Sequence, residues 1–343
     1  MLRREFTRGL GYTSSAATGV PSGGTQDDER VKKDLSTGHS DDMGENMNPG
    51  AGGMVKLNDG KEIPLIGYGS GSAWFQATGP DGISAALVDA TRTALALGYT
   101  HLDAAKVYGN ERSTGVAISS CGIPREKLFI TTKISTGLKT LKETLKAQLR
   151  DLQVEYVDLY LLHTPLFATN TDEPSLAEAW KLMEEVRAEG LARSIGVSNY
   201  RIKDLQETLK ACSVKPAVNQ IEFHPYVWKE AEPLLEFMQQ EKIALEAYGT
   251  QAPVVKLPGG AVDSVVERLG SARGISTGEV LMKWAKGHGA IVVTTSGKKD
   301  RMASMHSVFL DNQTDLSPAE IKELDAVGLN APVQRVFQKH MSE

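Results

Sequence analysis

"VDLYLLHT" (157–164) is apolar at nearly every position until it reaches a histidine, His163. A strand with one wet face alternates apolar and polar residues, whereas a run without alternation is covered on both faces. Burial on both faces marks a parallel sheet wrapped in helices. Runs of the same kind recur on either side: "LIGYG" (65–69), "THLDAA" (100–105), "LFITTK" (128–133), "RSIGVSN" (193–199), "AVNQIEF" (217–223), "ALEAYG" (244–249) and "IVVTTS" (291–296). Amphipathic stretches separate them at 84–97, 110–120, 138–152, 175–189, 201–211, 230–241 and 276–287, and another follows at 299–308. In "LKTLKETLKAQL" (138–149) leucines at 138, 141, 145 and 149 fall on one helical face. Ser317, Pro318 and Glu320 spell the capping box of a further helix.

Eight strands alternating with eight helices in about 290 residues predict a single α/β domain, a (β/α)8 barrel over 54–343. Asn58-Asp59-Gly60 predicts a tight turn, so a β-hairpin precedes the barrel. A C-terminal helix and tail follow it. A doubly wound sheet would open with a Gly-rich turn that starts a helix. "GYGSGS" (67–72) starts none, and no acid ends a strand about 20 residues later.

The remaining bulk properties exclude several classes of function. Of 343 residues, 41% are hydrophobic and 24% charged, as in ordinary globular proteins. The formal net charge is −5, which disfavours nucleic acid or an anionic membrane as main partner. No run of 18 apolar residues offers a membrane span. Cys121 and Cys212 are too few for a disulfide framework and lack metal-ligand spacing. Reduced thiols and a cytoplasmic location are therefore expected; the protein is also expected to act as a monomer and to need no metal. Residues 1–53 are rich in Gly, Ser, Thr and Asp and predict a disordered extension. Arg3, Arg4 and Arg8 within 1–20 leave a mitochondrial signal as the alternative.

In a barrel of this kind, function sits where the strands end. The second run ends with Asp103, and Tyr108 follows in "GYTHLDAAKVYGNE" (98–111). The third ends with Lys133 and the fourth with His163. Buried Asp and Lys are rare unless paired, so an Asp103–Lys133 pair is expected. Each residue alone has a plain reading as a turn acid, a snorkelling lysine or a packed ring. Four on the rim of three successive strands point to chemistry. A nearby ammonium lowers the proton affinity of a phenol, and an imidazole can orient a carbonyl oxygen. Tyr108 then becomes a general acid for an oxygen that gains negative charge, as when hydride attacks a carbonyl. After the last strand, "VVTTSGKKDRM" (292–302) opens a helix with Lys298, Lys299 and Arg301 at its start, an anion site suited to a 2′-phosphate.

These segments resemble the aldo-keto reductase family. "GYTHLDAAKVYGNE", "LFITTKI", "VDLYLLHTP", "ARSIGVSNY", "PAVNQIEFHP" and "EAYG" match its motifs in order over about 54–329. The resemblance implies NADPH-dependent carbonyl reduction with Tyr108 as acid, helped by Lys133, Asp103 and His163. It implies that Ser198, Asn199 and Gln220 hold the nicotinamide carboxamide and that Tyr248 stacks on the ring. Thr295, Ser296, Lys298 and Arg301 fall on the phosphate-binding segment.

Some positions depart from the common family pattern. Thr295 stands for a lysine, Ser304-Met305 for Glu-Asn, Thr164 for a tryptophan, and "AYGTQAP" replaces the usual loop after Tyr248. With "GSGSAWF", these features resemble a fungal subgroup of conjugated polyketone and α-keto amide reductases, which implies activated dicarbonyl substrates. In that subgroup Ser72 and Trp74 border cofactor and substrate, with Phe75, Phe167 and Trp228 as further candidate aromatic walls. Two rival readings share the barrel: an NADPH-sensing binding protein with little turnover, and a Schiff-base aldolase using Lys133.

Overall fold

The computed structural model describes residues 53–79 and 81–342. Apart from Gly53, the extension expected over 1–53 lies outside the described residues. A short antiparallel hairpin comes first, pairing β1 (Met54–Lys56) with β2 (Glu62–Pro64). It buries Val55, Leu57 and Ile63. Asn58 Nδ2 donates to the carbonyl of Pro216, just before β8 (Val218–Glu222), at 2.8 Å. The hairpin is thereby fixed at the end of the barrel where strands begin, leaving the opposite mouth free.

The barrel closes in the order β3 (Ile66–Gly69), β4 (His101–Asp103), β5 (Phe129–Ile134), β6 (Val157–Leu162), β7 (Ala192–Ser198), β8, β9 (Ala244–Tyr248) and β10 (Ile291–Thr294). β10 pairs back with β3, and every neighbouring pair is parallel. All eight strands coincide with the apolar runs read from the sequence. Their side chains are nearly all buried, as the absence of alternation requires.

The helices around the barrel are α1 (Ala85–Ala96), α2 (Glu111–Ser119), α3 (Leu141–Leu152), α4 (Leu176–Ala188), α5 (Ile202–Ala211), α6 (Trp228–Glu241), α7 (Ala252–Val255), α8 (Asp263–Arg273), α9 (Thr277–Gly287), α10 (Lys299–Leu310) and α11 (Pro318–Asn330). Ser175 and Ser276 open α4 and α9 through capping boxes. At the start of α11 the Ser317 N–H donates to Glu320 at 2.8 Å. On α3, Leu141, Leu145 and Leu149 are buried along one face, as their spacing predicts.

Helices α7 and α8 were not expected from the sequence. In α8 the signal is broken by Gly270 inside the helix. That glycine serves a close approach: a Cβ there would lie 2.6 Å from the Ile275 carbonyl oxygen. A residue that reads as a helix breaker is here a packing contact.

Candidate active site

The strand ends deliver the four expected side chains to one mouth. Asp103 is the last residue of β4, Lys133 is the penultimate residue of β5, and His163 follows β6. The His163 N–H still donates to the Ile134 carbonyl at 2.8 Å, so the ladder holds its backbone. Tyr108 ends a 3-10 turn, Lys106–Tyr108, reached through the buried Ala104 and Ala105. Asn110 locks that turn by donating to the carbonyls of Ser70 (2.8 Å) and Trp74 (2.7 Å).

Lys133 is fully buried, and its Nζ donates to Asp103 Oδ1 at 2.6 Å, to the Ala104 carbonyl at 2.8 Å and to Tyr108 Oη at 3.5 Å. An ammonium has three protons, and each has an acceptor. Gln220 Nε2 donates to the other carboxylate oxygen, Oδ2, at 2.8 Å. The Asp103–Lys133 pair expected from the sequence is thus closed on both sides. His163 meets the Tyr108 ring edge-on, with centroids 5.6 Å apart.

The electrostatics differ in one respect from the sequence-based expectation. Burial raises the proton affinity of Tyr108, and the lowering by Lys133 does not cancel it, so the phenol ends above its ordinary value. Burial also opposes the charge on Lys133, but Asp103 and Tyr108 outweigh it and keep the ammonium. Burial, then Lys133, push His163 down to about 3, which makes its ring neutral. The mouth therefore holds a protonated phenol, a cation balanced by a carboxylate, and a neutral imidazole.

These groups open into a cavity of about 510 Å³. Asp103, Tyr108, His163, Ser72, Asn199, Gln220, Tyr248, Thr295 and Arg301 all line it. Ser198 sits one layer back, donating to the Gln220 carbonyl at 2.8 Å and accepting from Asn199 Nδ2 at 3.0 Å. Asn199 also donates to the His163 carbonyl (2.9 Å), while its Oδ1 accepts from Tyr248 Oη (2.8 Å). Ser296 accepts from the Lys298 N–H at 3.0 Å just before α10, and Lys298 itself is exposed beyond the cavity wall. Thr164 lies outside the lining and caps the 3-10 turn Pro165–Thr169.

The aromatic walls need correction. Trp74 does not line the cavity. Its indole N–H donates to Tyr68 Oη at 3.0 Å, and Tyr68 donates to the Ser296 carbonyl at 3.0 Å. Trp74 thus fastens the loop after β3 to the end of β10. Phe167 and Trp228 are buried in the core. Phe75, half exposed, is the member of that set on the cavity, and its ring lies edge-on to Tyr108 with centroids 6.2 Å apart.

Sequence reasoning placed the tail 330–343 near the substrate but did not find the residues by which it reaches the site. Phe337 and Gln338 line the cavity. Glu222 holds them there by accepting the N–H groups of Val336 (2.7 Å) and Phe337 (3.2 Å). His340 Nε2 lies 3.1 Å from the Asn199 carbonyl oxygen. The signal was an acid, Glu222, inside an apolar strand, but the tail residues it binds lie more than a hundred residues away. Val107, Gln251 and Lys256 were missed as well.

A dinucleotide fits the donor set of this cavity. Thr295 Oγ1 is buried on its wall with no hydrogen-bond partner, which is unusual for a hydroxyl. The cavity runs from Tyr108 to Arg301 at the start of α10, where free helix N–H groups favour an anion.

A closed parallel barrel thus carries a buried Asp103–Lys133 ion pair beside a phenol at the mouth where its strands end. A family profile described as "Aldo/keto reductase family" matches residues 66–253. An NAD/NADP-dependent indole-3-acetaldehyde reductase of Schizosaccharomyces pombe is 42% identical over 284 residues, spanning 83% of this chain and 98% of that protein. An NADPH-dependent alpha-keto amide reductase of Saccharomyces cerevisiae is 34% identical, spanning 82% and 92%. Among solved structures, a Bombyx mori aldo-keto reductase in complex with NADP aligns with a TM-score of 0.72 at 30% identity, spanning 82% and 95%. The chain belongs to the aldo/keto reductase family, as its motifs led us to expect, and the two yeast relatives fit the fungal subgroup it resembles.

Proposed function

We propose that the protein reduces a ketone or aldehyde to the alcohol with NADPH, using Tyr108 as the general acid. The observation that carries this reading is the contact of Lys133 Nζ with both Asp103 (2.6 Å) and Tyr108 Oη (3.5 Å). Bound NADPH supplies the hydride. The carbonyl oxygen then gains negative charge and takes the Tyr108 proton. An alkoxide is far more basic than a phenolate, so the transfer runs downhill even from a phenol above its usual value. Lys133 stabilises the phenolate left behind, and Asp103 keeps Lys133 charged. Neutral His163 offers a ring N–H to the carbonyl oxygen and fixes its approach.

Asn199 and Gln220 are suited to the nicotinamide carboxamide, and Tyr248 to the ring face. Thr295, Ser296, Lys298 and Arg301 are suited to the phosphate end. The α-keto amide reductase named above, together with the "GTQAP" loop on the cavity wall, supports an activated dicarbonyl as substrate class. Consumption of NADPH by the purified protein should be measured with α-keto amides, cyclic diketones, sugars and aromatic aldehydes. Reduction of the dicarbonyls above the sugars is expected. Tight NADPH binding with no turnover on any carbonyl would replace this reading with the cofactor-sensing one.

A further inference from the structure

Beneath the Asp103–Lys133 pair lies a second acid and base that the chemistry above does not use. Glu246 on β9 and His101 on β4 are both 0% exposed inside the barrel. Glu246 Oε1 lies 3.6 Å from His101 Nε2, and neither Glu246 oxygen has a hydrogen-bond partner. His101 Nε2 also lies 3.0 Å from Thr131 Oγ1. The backbone makes room for this ring: a Cβ on Gly67 would lie 2.7 Å from His101 Nδ1. A carboxylic acid without partners is costly to bury, so its presence in a packed barrel calls for an explanation.

Charge decides its state. β4 contributes Asp103 and His101, β5 contributes Lys133, and β8 contributes neutral Gln220. On β10, Ile291 and Val292 pair beside it and carry no charge. Lys133 is already balanced by Asp103. Burial, with a further lowering by Lys133, leaves His101 neutral, at about 4. An ionised Glu246 would be a second buried carboxylate with no cation of its own. Burial first, and the Asp103 charge second, raise it to about 8. Glu246 pairs with Gln220 across β8 and β9, and Gln220 Nε2 donates to Asp103 Oδ2 at 2.8 Å, so a negative charge formed on Glu246 sits next to the Asp103–Lys133 pair and adds a small further rise to the proton affinity of Tyr108 and Lys133.

We propose that Glu246 is a positioning residue that shifts the alkaline limit of the reaction upward. As a neutral carboxyl it leaves the Asp103–Lys133 pair balanced, and as an anion it holds the protons on Tyr108 and Lys133. The proposal rests on Tyr108 being the acid. At neutral pH Glu246 carries its proton. As pH rises, Glu246 gives that proton to bulk water before Tyr108 does. Each later loss then has to occur next to one more negative charge. The acid form of Tyr108 survives to higher pH than it would beside a neutral residue.

The test is the pH profile of kcat for carbonyl reduction at saturating NADPH, compared among wild type, E246Q and E246L. Both variants remove the titration, and the second decides if the first does not fold. The alkaline limb should move to lower pH in the variants by about 0.5–1 unit, the effect of one unit charge acting across a protein interior. Infrared difference spectra should show an unionised carboxyl band at pH 6 that E246Q lacks. Profiles that superimpose, or a wild-type carboxyl already ionised at pH 6, would overturn the proposal while leaving Tyr108 as the acid. Near-wild-type turnover of Y108F in the same assay would instead remove the reading on which the proposal stands.

Discussion

Lys133 Nζ lies 2.6 Å from Asp103 Oδ1, with the side chains 0% and 4% exposed. Two charges so deeply buried hold each other in place, and removing one strands the other. Lys133→Met should lower stability by about 3–5 kcal/mol, the usual cost of leaving a buried charge unpaired. Combining it with Asp103→Asn should restore part of that loss, because neither charge then remains. Urea unfolding of the two single variants and the double gives the coupling. Additive losses would show that the pair does not act as a unit.

Arg301 lines the cavity at the start of α10, three residues beyond exposed Lys298. If these cations face the 2′-phosphate, Arg301→Ala should weaken NADPH binding roughly tenfold or more while changing NADH binding about threefold or less, since a charge-assisted contact is worth about 1.5–3 kcal/mol. Cofactor titrations by fluorescence quenching separate the two. Equal losses for both cofactors would place the basic cluster away from the extra phosphate.

The two buried groups beneath the site act oppositely on stability. His101 falls from 6.5 to about 4 on folding, so the unfolded chain binds its proton more tightly. Stability therefore drops as pH falls from about 6.5 toward 4, by about 3 kcal/mol at full extent. Glu246 rises from 4.5 to about 8, so the folded chain binds its proton more tightly. Its contribution is present below pH 4.5 and is lost as pH rises through 8. E246Q should thus gain in melting temperature relative to wild type between pH 5 and pH 8. A difference independent of pH would show that the folded chain does not hold a proton on Glu246 in that range.

The parts of the fold that could be read from sequence are those fixed by local pattern. A strand such as β6 is buried on both faces and shows it in five apolar or aromatic residues out of six. Asp103, Lys133 and His163 were legible because three successive strands each deliver an ionisable side chain at their end, which packing alone does not explain. Register and distant contacts were not legible. Trp74 and Phe75 are adjacent aromatics in one loop, and only the partners of the first, Tyr68 and the end of β10, decide which of them faces the cavity. Phe337 reaches the site because Glu222 binds its backbone across 115 residues. His101 and Glu246 each sit in motifs quoted for other residues, and only barrel closure brings them to 3.6 Å.

The phenol itself gives the most direct test. Tyr108→Phe removes one oxygen and keeps the ring against His163 and Phe75. With NADPH binding followed by fluorescence and turnover by NADPH consumption, the variant should bind the cofactor as wild type does and lose about 10²–10⁴-fold in kcat. Turnover within a few-fold of wild type would contradict the assignment of Tyr108 as the proton donor.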